Sequence, residues 1–219
     1  MASAAAKPDI DLDEGAKPLT ALSAHSMRND TVVIGPILPE DAGPMFRWLN
    51  DAEAAALDLP FRPMNYITFH EWLTEISRNA ATVLFAIRRP SHPAMIGYLA
   101  LTKVHPVHRS AELGVRIGAE MERGKGYGRA AVALALRYAW NQLNLNRVQL
   151  TVLSTNYRAI RAYLAAGFEV EGVSRQGAFI DGRWCDVLQM GVLRPAPVLQ
   201  DIGNAPASPG GVSPPVPGA

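Results

Sequence analysis

Residues 123–140 read RGKGYGRAAVALALRYAW, in which three glycines at alternate positions stand among cations and lead directly into a long apolar run. Glycine is used where the backbone needs a positive φ or where a ligand must approach the main chain closely. A helix that starts here leaves its first N–H groups unpaired and carries partial positive charge, which suits an anion. The stretch therefore predicts a phosphate-binding turn in front of a helix.

The composition restricts the class of protein. The chain has 219 residues, 48% of them hydrophobic, and a net charge of +1, which predicts one globular domain and gives no indication of a nucleic-acid partner. Cys185 is the single cysteine, which excludes an intrachain disulfide and favours a reducing compartment. No stretch approaches the ~20 apolar residues of a membrane helix, and acidic residues stand at positions 9, 11, 13 and 14, where a signal peptide would be apolar. We expect a cytoplasmic protein without a membrane partner.

Three regions are expected along the chain. Residues 1–30 show no sustained hydrophobic period and are interpreted as a flexible N-terminal extension. Residues 195–219 contain seven prolines and four glycines, a composition that predicts a Pro/Gly-rich disordered tail. The folded domain should therefore span residues 31–194.

Hydrophobic periodicity within this domain predicts an α+β fold. Thr68 and Glu71 have the spacing of a capping box at the start of a helix, and Asp181-Gly182 predicts a tight turn between the last two strands. Asn156 is placed to cap a helix that ends at Gly167. The element order predicts a mixed, mostly antiparallel sheet of about seven strands flanked by about four helices. The predicted strands are 31–37, 82–89, 94–104, 110–118, 147–152, 168–176 and 183–193, and the other predicted helices are 39–49 and 128–143.

Two common phosphate-binding patterns fit the glycine turn poorly. The triphosphatase loop GxxxxGK[ST] is absent from the sequence. The dinucleotide pattern GxGxxG/A is formally matched by Gly126, Gly128 and Ala131, but several polar residues separate this turn from the preceding strand. The following strand also ends without a carboxylate for a ribose. A different phosphate ligand is therefore favoured.

The turn resembles a motif of the GNAT superfamily of N-acetyltransferases. Arg123-x-x-Gly126-x-Gly128 is similar to the family pattern R/Q-x-x-G-x-G/A. The downstream segment is similar to N-x-x-A-x-x-x-Y-x-x-x-G-F, with these residues in register: Asn156, Ala159, Tyr163, Gly167 and Phe168. Residues 110–117 resemble the fourth strand of the family, and residues 182–193 resemble the last hairpin of its ribosomal-protein N-terminal acetyltransferase branch. The resemblance covers about residues 31–194 and implies a sheet that splays between strands 4 and 5.

The resemblance implies acetyl-CoA as the acyl donor and direct transfer to a primary amine in a ternary complex. Asn156 would hydrogen-bond the pantetheine arm, although it could equally serve as a plain helix cap. A bulge in the fourth strand would free a backbone N–H for the thioester oxygen, near Val115, Arg116 and Ile117. The pyrophosphate would lie on the turn formed by Arg123, Gly124, Lys125, Gly126, Tyr127, Gly128 and Arg129. Its three cations are equally compatible with solvated side chains.

Two residues are candidates for proton transfer. Tyr163 matches the family tyrosine that protonates the departing thiolate, and the alternative for it is a core tyrosine. An amine of pKa ~10.4 must lose a proton at a cost of about 4 kcal/mol at neutral pH, so a base is useful. Glu112, within a strand and among apolar neighbours, is the candidate base. Its alternative role is a structural carboxylate paired with Arg109 or Arg116.

The acceptor is less determined by the sequence. A protein N-terminus or a small-molecule amine is expected, with amino sugars, polyamines and antibiotics as specific alternatives. A non-catalytic acyl-CoA-binding module is the alternative from a different class, and a homodimer is compatible with the sequence. His105 and His108 have HxxH spacing but no evident third ligand, so no metal is expected. Cys185 is not expected to act as a nucleophile.

Overall fold

A computed structural model describes residues 26–55 and 61–196. In these ranges one eight-stranded sheet has the order β1-β2-β3-β4-β5-β6-β8-β7. The strands are β1 (Met27–Arg28), β2 (Val33–Gly35), β3 (Val83–Arg89), β4 (His92–His105), β5 (Ser110–Ile117), β6 (Arg147–Leu153), β7 (Glu169–Ile180) and β8 (Arg183–Leu193). The helices are α1 (Ala42–Leu49), α2 (Ala52–Ala55), α3 (Tyr66–Arg78), α4 (Tyr127–Asn141) and α5 (Tyr157–Leu164), with 3-10 turns at Pro39–Asp41 and Glu120–Glu122. The predicted α+β class is confirmed.

The first strand corrects the predicted start of the domain. Met27 pairs with Ile34 and Arg28 pairs with Val33, four residues before the predicted boundary at 31. The side chain of Met27 packs against the main core, and Arg137 of α4 donates to the carbonyl of Arg28 at 3.3 Å. A two-residue strand is too short to produce a hydrophobic period, which is why the pattern did not predict it. The rest of the predicted extension (1–25) and most of the predicted tail (197–219) lie outside the described residues.

The sheet opens between β5 and β6, its one recorded parallel pair among the described strands. Their pairing is limited to Ser110 with Arg147, Ala111 with Val148, and Glu112 with Gln149. Both strands continue beyond this point, to Ile117 and Leu153, and β6 pairs instead with β8 along its full length. The predicted splay is therefore confirmed. We call the gap between residues 113–117 and residues 150–153 the fork.

Two apolar clusters lie on opposite faces of the sheet. Alternation along β3 separates them, because successive side chains point to opposite faces. Ile87 belongs to the larger cluster, beneath α4 and α5, and Ala86 belongs to the smaller one, with Met45 of α1 and Phe69 of α3. We call these two halves of the domain the cavity side and the helix-layer side.

The start of α3 differs from the prediction. The helix begins at Tyr66, and the side chain of Asn65 accepts a hydrogen bond from the N–H of Thr68 at 2.9 Å. The predicted capping box of Thr68 and Glu71 is therefore wrong, because asparagine is at least as good an N-cap and stands three residues earlier. Phe69 is nevertheless fully buried, as the helical stripe predicted.

The last hairpin turns as predicted. Asp181 and Gly182 have φ values of 47° and 75°, as a two-residue turn between β7 and β8 requires. Trp184 is 62% exposed on this hairpin, and its ring lies 5.1 Å from that of Phe179. Across the described ranges, no helix combines the length and apolar character needed to cross a bilayer.

Candidate functional site

A cavity of about 460 Å³ occupies the fork. Its walls come from the end of β5, the glycine turn, the start of α4, β6 and α5. Two residues of the predicted site, Glu112 and Lys125, are not among its lining residues. All the others line it, namely Val115, Arg116, Ile117, Arg123, Gly124, Gly126, Tyr127, Gly128, Arg129, Asn156 and Tyr163. The fold thus brings together two sequence motifs that are about thirty residues apart.

The glycine turn has the backbone that the sequence predicted. Gly124 and Gly126 have φ values of 81° and 85°, a region that strains residues with a Cβ. Gly126 is the N-cap of α4, and its carbonyl accepts from the N–H of Ala130 at 3.0 Å. The N–H groups of residues 127–129 precede this first intrahelical bond, so the cavity wall carries donors suited to an anion.

Gly128 differs from Gly124 and Gly126, whose positive φ values favour glycine. Its φ is not positive, and a Cβ placed there would meet only Ile117 Cγ1, at 3.8 Å. Neither backbone strain nor crowding within the chain therefore requires glycine at this position. Because the residue lines the cavity, its missing side chain leaves room for a ligand against the main chain.

Two cations of the turn, Arg123 and Lys125, have different partners. Arg123 donates to the carbonyls of Ile117 and Gly118 at 3.2 and 2.9 Å, and it lies 3.6 Å from the carboxylate of Asp51. It therefore fastens the turn to the end of β5 as well as lining the cavity. Lys125 pairs with Glu122 at 3.0 Å, is half exposed and is not among the residues that line the cavity, so its role in cofactor binding stays a prediction.

The end of β5 offers backbone groups without the predicted bulge. β4 pairs continuously with residues 115–117, and the register shift between these strands lies between Thr102 and His105. The expected bulge near Val115 is therefore wrong. Alternate N–H groups of a strand point to opposite neighbours, and β6 has diverged here. The fork itself, rather than a bulge, leaves backbone groups of β5 facing the cavity.

The wall from α5 carries Asn156 and Tyr163. The side chain of Asn156 accepts from the N–H of Ala159 at 3.2 Å, so it caps the helix, and it also lines the cavity. Tyr163 is only 7% exposed, and its ring lies 5.7 Å from that of Phe168. Tyr163 thus belongs to the apolar core and to the cavity wall at once.

Glu112 is not among the residues that line the cavity. Its carboxylate forms an ion pair with Lys103 of β4, at 2.9 Å, rather than with Arg109 or Arg116. Arg109 donates instead to the carbonyl of Asn144 at 2.7 Å. The position favours a structural ion pair for Glu112, and its role as a base stays a prediction.

Two arginines that line the cavity were missed by the sequence analysis. Arg158 and Arg161 lie on α5, three residues apart, in the same segment as Asn156 and Tyr163. Residues at this spacing share a helix face, so projecting the motif onto a helix could have found them.

The helix-layer side contacts the cavity wall directly. A Cβ on Gly118 would overlap the indole ring of Trp48, so α1 packs against the residue that follows β5. Arg116 also donates to the carbonyl of Trp48 at 3.0 Å. With the contact between Arg123 and Asp51, these bonds hold the end of α1 beside the fork. In the described ranges, no three His, Cys, Asp or Glu side chains are grouped in a way that could hold a metal ion.

Comparison with known proteins gives a consistent set of relatives. Residues 31–169 match the sequence model of the family described as acetyltransferase (GNAT) domain. Spermidine N(1)-acetyltransferase of Vibrio cholerae is 37% identical over 100 residues, which are 46% of this chain and 57% of that protein. A Bacillus subtilis protein whose name assigns it provisionally to the ribosomal N-acetyltransferases is 32% identical over 101 residues, 46% of this chain and 55% of that protein. The chain spans about half the length of the curated relatives it matches.

The fold has solved counterparts. The crystal structure of spermidine N-acetyltransferase from Vibrio cholerae in complex with CoA and spermine has a TM-score of 0.69 and 26% identity, and the match covers 75% of this chain and 96% of that one. A structure described as dodecameric, of the same Vibrio cholerae enzyme, has a TM-score of 0.63.

Proposed function

The chain belongs to the GNAT acetyltransferase family, and on this premise we propose that it transfers the acetyl group of acetyl-CoA to a primary amine. The observation that carries the proposal is the cavity in the fork, which the glycine turn, Asn156 and Tyr163 line together. Acetyl-CoA and the amine would meet there in a ternary complex.

The donor would lie along the fork. Its pyrophosphate would accept hydrogen bonds from the N–H groups at the start of α4, with close approach permitted by Gly128. The pantetheine arm would pass between β5 and β6 beside Asn156. A backbone N–H of residues 115–117 would stabilise the negative charge that develops on the thioester oxygen.

The transfer would follow from these positions. The neutral amine attacks the thioester carbon, the C–N bond forms as the C–S bond breaks, and the thiolate takes a proton from the hydroxyl of Tyr163. The amine releases its own proton to water or to a base, and Tyr163 recovers a proton from solvent. Burial of Tyr163 on the cavity wall supports this role.

We propose a polyamine as the first acceptor to test. The support is the similarity to spermidine N-acetyltransferases in sequence and in fold. A protein N-terminus is the second candidate, favoured by the Bacillus subtilis relative and by the resemblance of the last hairpin to ribosomal-protein N-terminal acetyltransferases. Phe179 and Trp184, both exposed on that hairpin, would suit contact with a protein.

The self-association and location of the chain are part of the proposal. A cytoplasmic protein remains our expectation, a homodimer is compatible with the sequence, and the dodecameric Vibrio cholerae enzyme shows that a relative forms a larger assembly. Size-exclusion chromatography of the full chain with light scattering would distinguish a dimer from such an assembly.

The test is release of CoA from acetyl-CoA by the full chain. The acceptors are spermidine, spermine, amino sugars, aminoglycosides, and peptides with varied N-terminal residues, and the control is the Tyr163→Phe variant. We expect a kcat/KM for a polyamine at least about tenfold above that for any peptide, a difference of about 1.4 kcal/mol in transition-state stabilisation. If acetyl-CoA binds but none of these amines supports CoA release, the chain is instead an acyl-CoA-binding module. Preference for peptides would favour the second candidate.

A further inference from the structure

The arginines that line the cavity fall into two groups. Arg116 and Arg123 donate to main-chain carbonyls of the domain. Arg129, Arg158 and Arg161 line the same cavity, yet none of their guanidinium groups has a hydrogen bond or ion pair to any residue in the described ranges. Three guanidinium groups are therefore available to a ligand.

The cavity's own carboxylate does not neutralise these three cations. Glu122 lines the cavity, but its oxygens lie 3.3 Å from Arg89 and 3.0 Å from Lys125. The positive charge of the wall is thus left without compensation by the described residues.

Two of these arginines also occupy unfavourable helix positions. Arg129 lies in the first turn of α4 and Arg158 in the first turn of α5, and neither first turn contains an acidic residue. A helix N-terminus carries partial positive charge, so a cation there is repelled and an anion is attracted. Departures from local preference of this kind concentrate at functional sites. An anion bound between the two helix starts would remove both penalties.

We propose that Arg158 and Arg161, together with Arg129, bind the 3′-phosphate of CoA and thereby select acetyl-CoA over acetyl-dephospho-CoA. The inference deepens the proposed function and rests on acetyl-CoA being the donor. A phosphomonoester carries a charge of about −1.5 to −2 at pH 7, more than either phosphate of the pyrophosphate, so it has the greater need for several cations. The planar fork of a guanidinium matches phosphate oxygens in pairs.

The pyrophosphate is the competing ligand for these arginines. The N–H groups at the start of α4 already suit it, whereas Arg161 lies a full turn into α5. The same three cations repel a polycationic acceptor, so this end of the cavity suits the donor, and the amine would enter from the opposite end of the fork.

The test compares the binding of CoA and of dephospho-CoA to the full chain by titration calorimetry. The variants are Arg158→Gln, Arg161→Gln and the double substitution. Arg175→Gln is the matched control, because Arg175 is exposed on β7, does not line the cavity, and has no partner among the described residues. Glutamine keeps most of the side-chain length and helix propensity while removing the charge.

We expect the wild-type chain to bind CoA about 10- to 100-fold more tightly than dephospho-CoA, as charge-assisted hydrogen bonds imply. The double variant should lose most of this preference by weakening CoA alone, and Arg175→Gln should keep it. In turnover assays, the double substitution of Arg158 and Arg161 should raise the KM for acetyl-CoA and leave kcat unchanged.

Three results would overturn the inference: equal affinity of the wild-type chain for the two ligands, a double variant that keeps the preference, and a double variant that weakens both ligands alike. The last result would assign the arginines to the pyrophosphate. Because binding needs no acceptor, a chain without turnover can still support the inference. If neither ligand binds, the proposed donor fails as well. Thermal unfolding of each variant checks that it is folded.

Discussion

The helix-layer side contains a buried pair of charges that satisfy one another, whereas the cavity side contains three arginine side chains without a partner among the described residues. On the helix-layer side, Asp41 and Arg88 are each about 3% exposed and form an ion pair with one another. Arg88 also donates to the carbonyls of Pro93 and Pro36 at 2.9 and 3.2 Å, and the Asp41 carboxylate accepts from the N–H of Leu38 at 2.8 Å. On the cavity side, the guanidinium groups of Arg129, Arg158 and Arg161 have no partner among the described residues.

This difference separates residues that maintain the fold from residues that are available to a ligand. A charge removed from water needs partners, and losing one of them is costly. A cation that faces an open cavity keeps its hydration and can exchange it for a ligand. Substitutions on the helix-layer side should therefore change the free energy of unfolding, and those on the cavity side should change kinetics.

The largest kinetic effect is expected on the cavity side, at Tyr163. Tyr163→Phe keeps the ring and its contact with Phe168 but removes the proposed acid, so kcat should fall by about 10²- to 10⁴-fold. The KM for acetyl-CoA and the unfolding transition should change little, because the hydroxyl would act mainly in the transition state. Pre-steady-state rates of acetyl transfer check this prediction. A normal rate in the folded variant would leave Tyr163 as a core residue only.

The largest stability effect is expected on the helix-layer side. Asp41→Leu or Arg88→Met alone leaves a buried charge unpaired and should lower the free energy of unfolding by about 3–5 kcal/mol. The double variant should recover much of this loss, because an apolar pair of similar volume replaces the ion pair. Urea unfolding measures all three variants. If the folded fraction of either single variant loses acetyl transfer, the separation between the two sides breaks down.

The glycine turn allows a comparison within the cavity side. Gly128→Val places a side chain where the pyrophosphate would lie without forcing a strained φ, so the KM for acetyl-CoA should rise by about tenfold or more while the chain stays folded. Gly126→Ala puts a Cβ at φ 85° and should cost about 1–2 kcal/mol of stability. Michaelis kinetics and urea unfolding distinguish the two effects. Unchanged acetyl-CoA binding by folded Gly128→Val would remove the turn from the donor site.

Glu112 tests whether an exposed ion pair next to the fork has a catalytic role. If Glu112 is only the structural partner of Lys103, Glu112→Gln should lower kcat by less than about tenfold and the free energy of unfolding by no more than about 1 kcal/mol. Lys103→Gln should then have the same effects. Rates measured from pH 6 to pH 9 compare the two variants. A loss of about 100-fold in Glu112→Gln alone, with a changed pH profile, would instead establish Glu112 as the base.

The smallest effect is expected from the exposed pair of Arg147 and Glu171, which spans β8 above Gly191. The hydrogen bond from Arg147 holds the pKa of Glu171 below its ordinary value of 4.5. Its stabilisation is therefore present above pH 4.5 and is lost as the pH falls through the lower, folded-state pKa. Glu171→Gln should cost under about 1 kcal/mol at pH 7 and progressively less in acid. An unfolding series over pH checks this. A cost independent of pH would exclude the ion pair as its source.

The sequence by itself determined the features that the backbone encodes locally. Gly124 and Gly126 adopt the positive φ values that the turn predicted, Asn156 caps its helix, and Asp181-Gly182 closes the hairpin. Each depends on a conformation that few residue types tolerate, so the residue type is informative without its neighbours. The misplaced start of α3 has the same origin, since two adequate caps stand three residues apart and only packing chooses between them.

Only the tertiary structure decided which partner each charged side chain takes. Glu112 pairs with Lys103 across β4 and β5, Lys125 turns back to Glu122, and Arg158 and Arg161 are left facing the cavity. Such choices depend on strand register and on which helix faces meet, and both are set by contacts distant in sequence. For the same reason the opening near Val115 comes from the divergence of β6 rather than from a bulge in β5. Residue types alone predicted a phosphate-binding turn. That Arg158 and Arg161 line the cavity beside this turn depends on the divergence of β5 and β6 in the folded sheet.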